Sequence, residues 1–136
     1  MARYAFPAVF QKAPEEEGGY TVKFPDIPNC FTQGEDIPDV LDAAADALCL
    51  MLYDMEENRK DIPVPSDISG ISAPQGGFVS LVACDTLEYR KFFDKKAIKK
   101  TLTIPNWLNT LAERANVNFS AVLQEALMEK LGLSNQ

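Results

Sequence analysis

Histidine is absent from the 136 residues. That removes the imidazole schemes, since no Ser-His or Cys-His nucleophile pair can be assembled. Cysteine is scarce: Cys30, Cys49 and Cys84 are the only three, and none falls in a Cys-x-x-Cys pair. The usual Cys/His zinc sites are thereby excluded. A scattered, odd-numbered set reads as reduced, buried thiols of a cytoplasmic protein. No apolar run reaches the length of a membrane span, and the start of the chain, Met1 to Pro7, has no apolar h-region. No glycine-rich phosphate loop occurs; Gly18-Gly19 and Gly76-Gly77 read as hairpin or loop glycines. There is no internal repeat and no low-complexity tract.

What is present is a division of charge. The formal net charge is −7, which on its face argues against a nucleic-acid partner. Residues 1–88, however, hold five Lys+Arg against sixteen Asp+Glu, and residues 89–136 hold eight against four. An acidic half and a basic half suggest partners of opposite sign. The basic half suits phosphates, with binding that weakens as salt rises; the acidic half repels nucleic acid and suits a basic protein.

The acidic half reads as a small α+β layer of order βββαβ. Residues 3–24 look like a hairpin turning at Glu15-Glu-Glu-Gly-Gly19, with Tyr20-Thr-Val-Lys-Phe24 alternating as its second strand. Phe31-Thr-Gln-Gly34 is a short third strand. Asp36 can cap a helix with Pro38 in its first turn, running to about Glu57, whose apolar side includes Leu41, Ala44, Ala45, Leu48, Leu52 and Met55. Residues 58–77, rich in Pro, Gly and Ser, read as a long loop. Phe78-Val-Ser-Leu-Val-Ala-Cys84 is a continuous apolar run, read as a central strand. Residues 1–88 are then one domain, 89–96 a linker with a helical turn near Tyr89 to Phe93, and 97–136 a second domain.

That second domain begins with period-2 alternation. Over residues 97–104, Ile98, Leu102 and Ile104 point one way, with Lys100 as the exception, and Ala97, Lys99, Thr101 and Thr103 point the other. Pro105 stops the strand. Leu108, Leu111, Ala112 and Ala115 then fall at helical spacing, Asn116-Val-Asn118 breaks the pattern, and Asn118 can cap a second helix with the stripe Phe119, Val122, Leu123, Ala126, Leu127 and Leu131. Gly132 closes it. One strand followed by two short helices is the order of a ribbon-helix-helix module, whose strand must pair with a second copy. Lys99, Thr101 and Thr103 would face base edges in a major groove wide enough for a two-stranded ribbon. The helix start at Asn118, with the amides of Phe119 and Ser120, would hold a phosphate. The plainer alternative is a helical hairpin that only packs or dimerises.

For catalysis, the nearest candidate is a divalent-metal nuclease, which needs converging carboxylates. Asp26 and Asp85 are its best candidates, but each also reads as a turn residue. Asp36 reads as a cap. Asp39, Asp42 and Asp46 share one helix face and read as a solvated surface. A non-enzymatic protein without cofactor or metal is the preferred reading.

The chain resembles the HicB family of antitoxins from bacterial toxin–antitoxin pairs. The resemblance rests on Gly19-Tyr20 leading to Phe24-Pro-Asp-Ile-Pro-Asn-Cys30, on Thr32-Gln-Gly34-Glu35, on the Ala-rich helix over 42–52, and on Ile62-Pro-Val-Pro-Ser66. The more specific motifs are Lys99-Lys-Thr-Leu-Thr-Ile-Pro-Asn-Trp-Leu108 and Asn118-Phe-Ser-Ala-Val-Leu-Gln-Glu-Ala-Leu127. Where the family often has Pro-Gly-Cys, this sequence has Pro28-Asn29-Cys30, and Asn also tolerates turn conformations. The resemblance implies a degenerate RNase H-like first domain that neutralises HicA, a small mRNA-cleaving toxin. It implies a second domain that binds operator DNA as a homodimer, with a higher oligomer open, and represses its own operon. Lys99, Thr101 and Thr103 carry over as base readers. Asp39, Asp42 and Asp46 are the first guess for toxin contact. The rivals are a metal-dependent ribonuclease in the first domain and a stand-alone regulator that senses a small ligand.

Overall fold

The computed structural model describes residues 2–133. Its first strand, β1 (Arg3–Lys12), turns back into β2 (Tyr20–Lys23) through Gly18 and Gly19, both at positive φ. A Cβ on Gly19 would meet the Gly34 carbonyl oxygen at 2.5 Å, so the turn needs glycine for space as well as for conformation. β3 (Phe31–Gly34) follows a tight loop in which Ile27 is buried and Asn29, at φ 61°, takes the left-handed conformation that Asn tolerates. Helix α1 (Ile37–Glu57) is launched by Asp36, whose carboxylate accepts from the Asp39 amide at 2.8 Å, while the Asp39 carboxylate accepts from the Glu35 amide at 2.8 Å. This reciprocal cap satisfies one amide that the first turn leaves over, that of Asp39, and fixes the residue that enters the helix.

A 3₁₀ turn, Ile68–Gly70, interrupts the long loop, and β4 (Gly77–Asp85) completes the sheet. The strand order is β3-β2-β1-β4, antiparallel throughout. β4 is therefore an edge strand, not the central one its apolar run suggests; β1 takes the inner place and pairs with β4 from Arg3↔Asp85 to Gln11↔Gly77. Pro7 lies beyond the last β1–β2 pair, Val9↔Lys23, where β1 has one strand neighbour rather than two.

One stripe of α1, Val40, Ala44, Leu48 and Leu52, is fully buried, and it belongs to one core with Phe6, Ala8, Phe10, Val22, Val82 and Cys84 of the sheet. Those sheet residues alternate along their strands, so the period of two and the period of four meet at one core. Cys49 of α1 and Cys84 of β4 are joined as a disulfide, their Cα atoms 5.5 Å apart. This corrects the expectation of three reduced thiols: helix-on-sheet packing brings together two residues 35 apart in sequence, at a separation a disulfide spans. Cys30 is a free, buried thiol, and burial pushes it up to about 11.

The expected linker is also corrected. Asp85 accepts from the amides of Leu87 and Glu88 and starts α2 (Thr86–Phe93), a full helix. The chain divides after it into two units, Met1–Lys96 and Ala97–Gln136. In the second, residues 94–105 form no regular element, so the strand expected over 97–104 is not made by one chain. A strand exists only by its ladder of hydrogen bonds, and a single copy supplies no second strand. α3 (Asn106–Arg114) follows Pro105 and ends with Asn116 at φ 54°; α4 (Phe119–Leu131) is capped by Asn118 and ends on Gly132 at φ 70°. The Leu133 amide reaches back to the Met128 carbonyl at 2.8 Å, which closes the C-terminus in a Schellman motif.

Candidate protein and nucleic-acid interfaces

On the acidic unit, the outer side of α1 carries Asp39, Asp42 and Asp46, all exposed. They are not equivalent. Asp39 is part of the helix cap, whereas Asp42 and Asp46 make no hydrogen bond or ion pair among the described residues. Leu41 and Leu50, both substantially exposed, flank them. A helix face mixing unpaired carboxylates with exposed leucines suits a basic protein surface better than it suits a metal.

The two carboxylates weighed for nuclease chemistry are otherwise engaged. Asp26 accepts from the Ser66 amide at 2.9 Å and from the Ser66 hydroxyl, tying the Ile62-Pro-Val-Pro-Ser66 segment to the loop before β3. Asp85 caps α2. Among the described residues no group of three or more His, Cys, Asp or Glu could hold a metal ion.

Sequence reasoning missed a polar cluster at the far end of α1. The Glu56 carboxylate accepts from Tyr4 of β1 at 3.0 Å and from Thr86 of α2 at 2.9 Å, and it pairs with Arg90 of α2 at 3.1 Å. Arg90 also pairs with Glu57 and lies 4.5 Å above the Tyr53 ring. Burial by itself would raise the Glu56 carboxyl, but the hydrogen bonds it accepts, those from Thr86, Tyr4 and Arg90 among them, outweigh burial and hold the group down to about 2. Buried Thr86 in turn accepts from the Ala2 amide at 2.9 Å. The cluster joins β1, α1 and α2, and no local signal in the sequence announces contacts of such long range.

In the basic unit, Lys99, Thr101 and Thr103 are exposed and lie in the irregular stretch, so one chain does not bring them onto a formed surface. The Asn118 side chain accepts from the Ala121 amide at 3.1 Å. The amides of Phe119 and Ser120, in the first turn of α4, find no acceptor among the described residues. No residue of α3 or α4 is buried. Ile98 (78% exposed), Leu111 (57%) and Leu131 (69%) are typical of the apolar side chains this unit leaves open.

A family model described as the HicB-like antitoxin of bacterial toxin–antitoxin systems matches residues 6–127. Antitoxin HicB of Escherichia coli strain K12 is 41% identical over 64 residues, 47% of this chain and 45% of that protein. The chain thus spans less than half the length of the curated relatives it matches. Among solved structures, a toxin–antitoxin complex from Streptococcus pneumoniae aligns with TM-score 0.62 and 31% identity over 94% of this chain and 99% of that one. Antitoxin HicB of Burkholderia pseudomallei, at 23% identity and TM-score 0.54 over 94% and 98%, shares the fold. The four-stranded antiparallel sheet with four α-helices is an α+β architecture similar to these structures. No helix among the described residues is long and apolar enough to cross a membrane.

Proposed function

Since the chain belongs to the HicB-like antitoxin family, we propose that it neutralises a HicA-like toxin through its acidic unit and, as a homodimer, binds operator DNA through its basic unit, repressing its own operon without catalysing a reaction. The acidic unit is a degenerate RNase H-like layer on this reading, on the strength of its βββαβ order. Asp42 and Asp46 are the preferred toxin contacts of the α1 face, and Asp39 is set aside because it caps the helix.

The observation that carries the reading is the second unit's lack of a core: α3 and α4 bury no residue, while Ile98, Leu102, Ile104, Leu108, Leu111 and Leu127 stay exposed. An apolar surface of this kind marks an interaction site. A second copy answers it, because pairing residues 97–104 with the same segment supplies the missing ladder and closes both helix pairs over one shared core. The paired ribbon then presents Lys99, Thr101 and Thr103 twice, related by a twofold axis. The start of α4 offers its first-turn amides to a phosphate.

Leu111→Asp tests this. A carboxylate at that position should prevent assembly, giving a monomer by sedimentation equilibrium with the circular dichroism of the first unit retained. A variant that still dimerises like wild type would count against the shared core. The rival metal-dependent nuclease has no comparable observation behind it, given the engagement of Asp26 with Ser66 and of Asp85 with α2.

A further inference from the structure

Six basic residues lie between Arg90 and Lys100, and the structure separates them into two kinds. Arg90 is committed to Glu56 and Glu57, and Lys91 lies 3.2 Å from Glu88. Lys95, Lys96, Lys99 and Lys100 are exposed and have no carboxylate partner among the described residues. Lys95 sits 5.5 Å from the ring of Phe92, itself 68% exposed. Lys99 belongs to the ribbon proposed above, and Lys100 lies in the same segment. Lys95 and Lys96 have no part in the ribbon, no carboxylate partner among the described residues and no place in a regular element.

We propose that Lys95 and Lys96 form a phosphate-binding arm that holds the operator backbone beside the ribbon without reading bases. The inference rests on the ribbon being the operator-binding element. Geometry favours the backbone over the bases. Three residue steps lead from Lys96 to Lys99 and reach at most about 10 Å when extended. A major groove is about 12 Å wide, so that reach carries the chain from a base edge near its middle to the phosphates along its rim. An ammonium is a compact charge without the planar fork that reads guanine, so it contacts phosphate without discriminating sequence. Charge supplies the reason for the arm. The unit that ends at Lys96 is strongly acidic and repels DNA, and these two lysines stand at the point along the chain where the sign changes.

The test titrates full-length protein onto labelled duplex from upstream of its own gene, and onto a scrambled duplex, at salt concentrations from about 50 to about 200 mM. Wild type is compared with Lys95→Ala/Lys96→Ala and with Lys95→Arg/Lys96→Arg, each checked for fold by circular dichroism. The alanine pair removes four positive charges per dimer, so the slope of log affinity against log salt should become shallower by about three to four. The operator-to-scrambled ratio should stay at the wild-type value, and the arginine pair should restore the slope. A wild type that prefers its operator, with an unchanged slope in the alanine pair, overturns the arm alone; so does a collapse of the ratio, which would make these lysines base readers. A wild type with no operator preference overturns the ribbon reading and this inference with it.

Discussion

Glu56 gathers donors from two elements onto one carboxylate, Tyr4 from β1 and Thr86 and Arg90 from α2. Its folded-state value of about 2 lies below the roughly 4.3 of an unfolded glutamate. The sign follows: its contribution to stability is fully present above about pH 4.5 and is lost as the pH falls through the range down to 2. Urea midpoints measured from pH 6 to pH 2.5 should therefore fall, with part of the fall absent in Glu56→Gln; an unchanged pH profile in that variant would refute the coupling. The disulfide gives a second prediction at this scale. Closing a loop of 35 residues restricts the unfolded chain, so reduction, or Cys49→Ser, should cost about 3 to 4 kcal/mol. The measurement is the shift in urea midpoint with and without dithiothreitol, and equal midpoints would contradict the bond. Residues that act on their near neighbours were legible in the sequence: Asp36, Asn118 and Gly132 each close a helix end. The Glu56 cluster and the Cys49–Cys84 bond were not, because each joins residues that only the folded sheet and helices bring together.

Among the elements, α1 was read from its cap and its apolar stripe, because both signals lie within a few turns of one another. Its exposed face carries the toxin-binding proposal. Reversing charge with Asp42→Lys and Asp46→Lys should weaken capture of the cognate toxin by roughly tenfold or more. Folding should be undisturbed, since neither side chain makes a hydrogen bond or ion pair among the described residues. Calorimetric titration against the purified toxin checks this, and unchanged affinity would move the contact to another face. β4 was read correctly as a strand and wrongly as central. Its apolar run is continuous but its burial is not, since Val82 and Cys84 are buried while Leu81 and Ala83 are exposed, and the run says nothing about which neighbours flank it. α2 was underestimated as a helical turn in a linker, since its anchorage through Arg90 and Thr86 depends on distant Glu56. The strand over 97–104 is a different matter. On the proposed reading its alternation encodes an element that forms only when a second copy pairs with it, whereas one chain leaves residues 94–105 irregular.

For the whole molecule, net charge misleads and its distribution informs. An excess of acid in residues 1–88 and of base in residues 89–136 is the division of charge on which the proposal of two partners of opposite sign rests. The structure likewise divides into two units with different internal logic. The first has its own core, with Phe6, Phe10, Leu48 and Leu52 fully buried; the second has none among its described helices. In the proposed dimer, two identical units supply by symmetry the core that one lacks. The most direct test of this account is a titration of the full-length protein onto the DNA upstream of its own gene, beside a variant in which Lys99, Thr101 and Thr103 are all replaced by alanine. The account predicts that wild type binds that DNA as a dimer and selects it over scrambled sequence, while the variant remains a dimer, still captures toxin and loses the selectivity. A variant that binds and selects as wild type does would contradict the assignment of these residues to operator recognition.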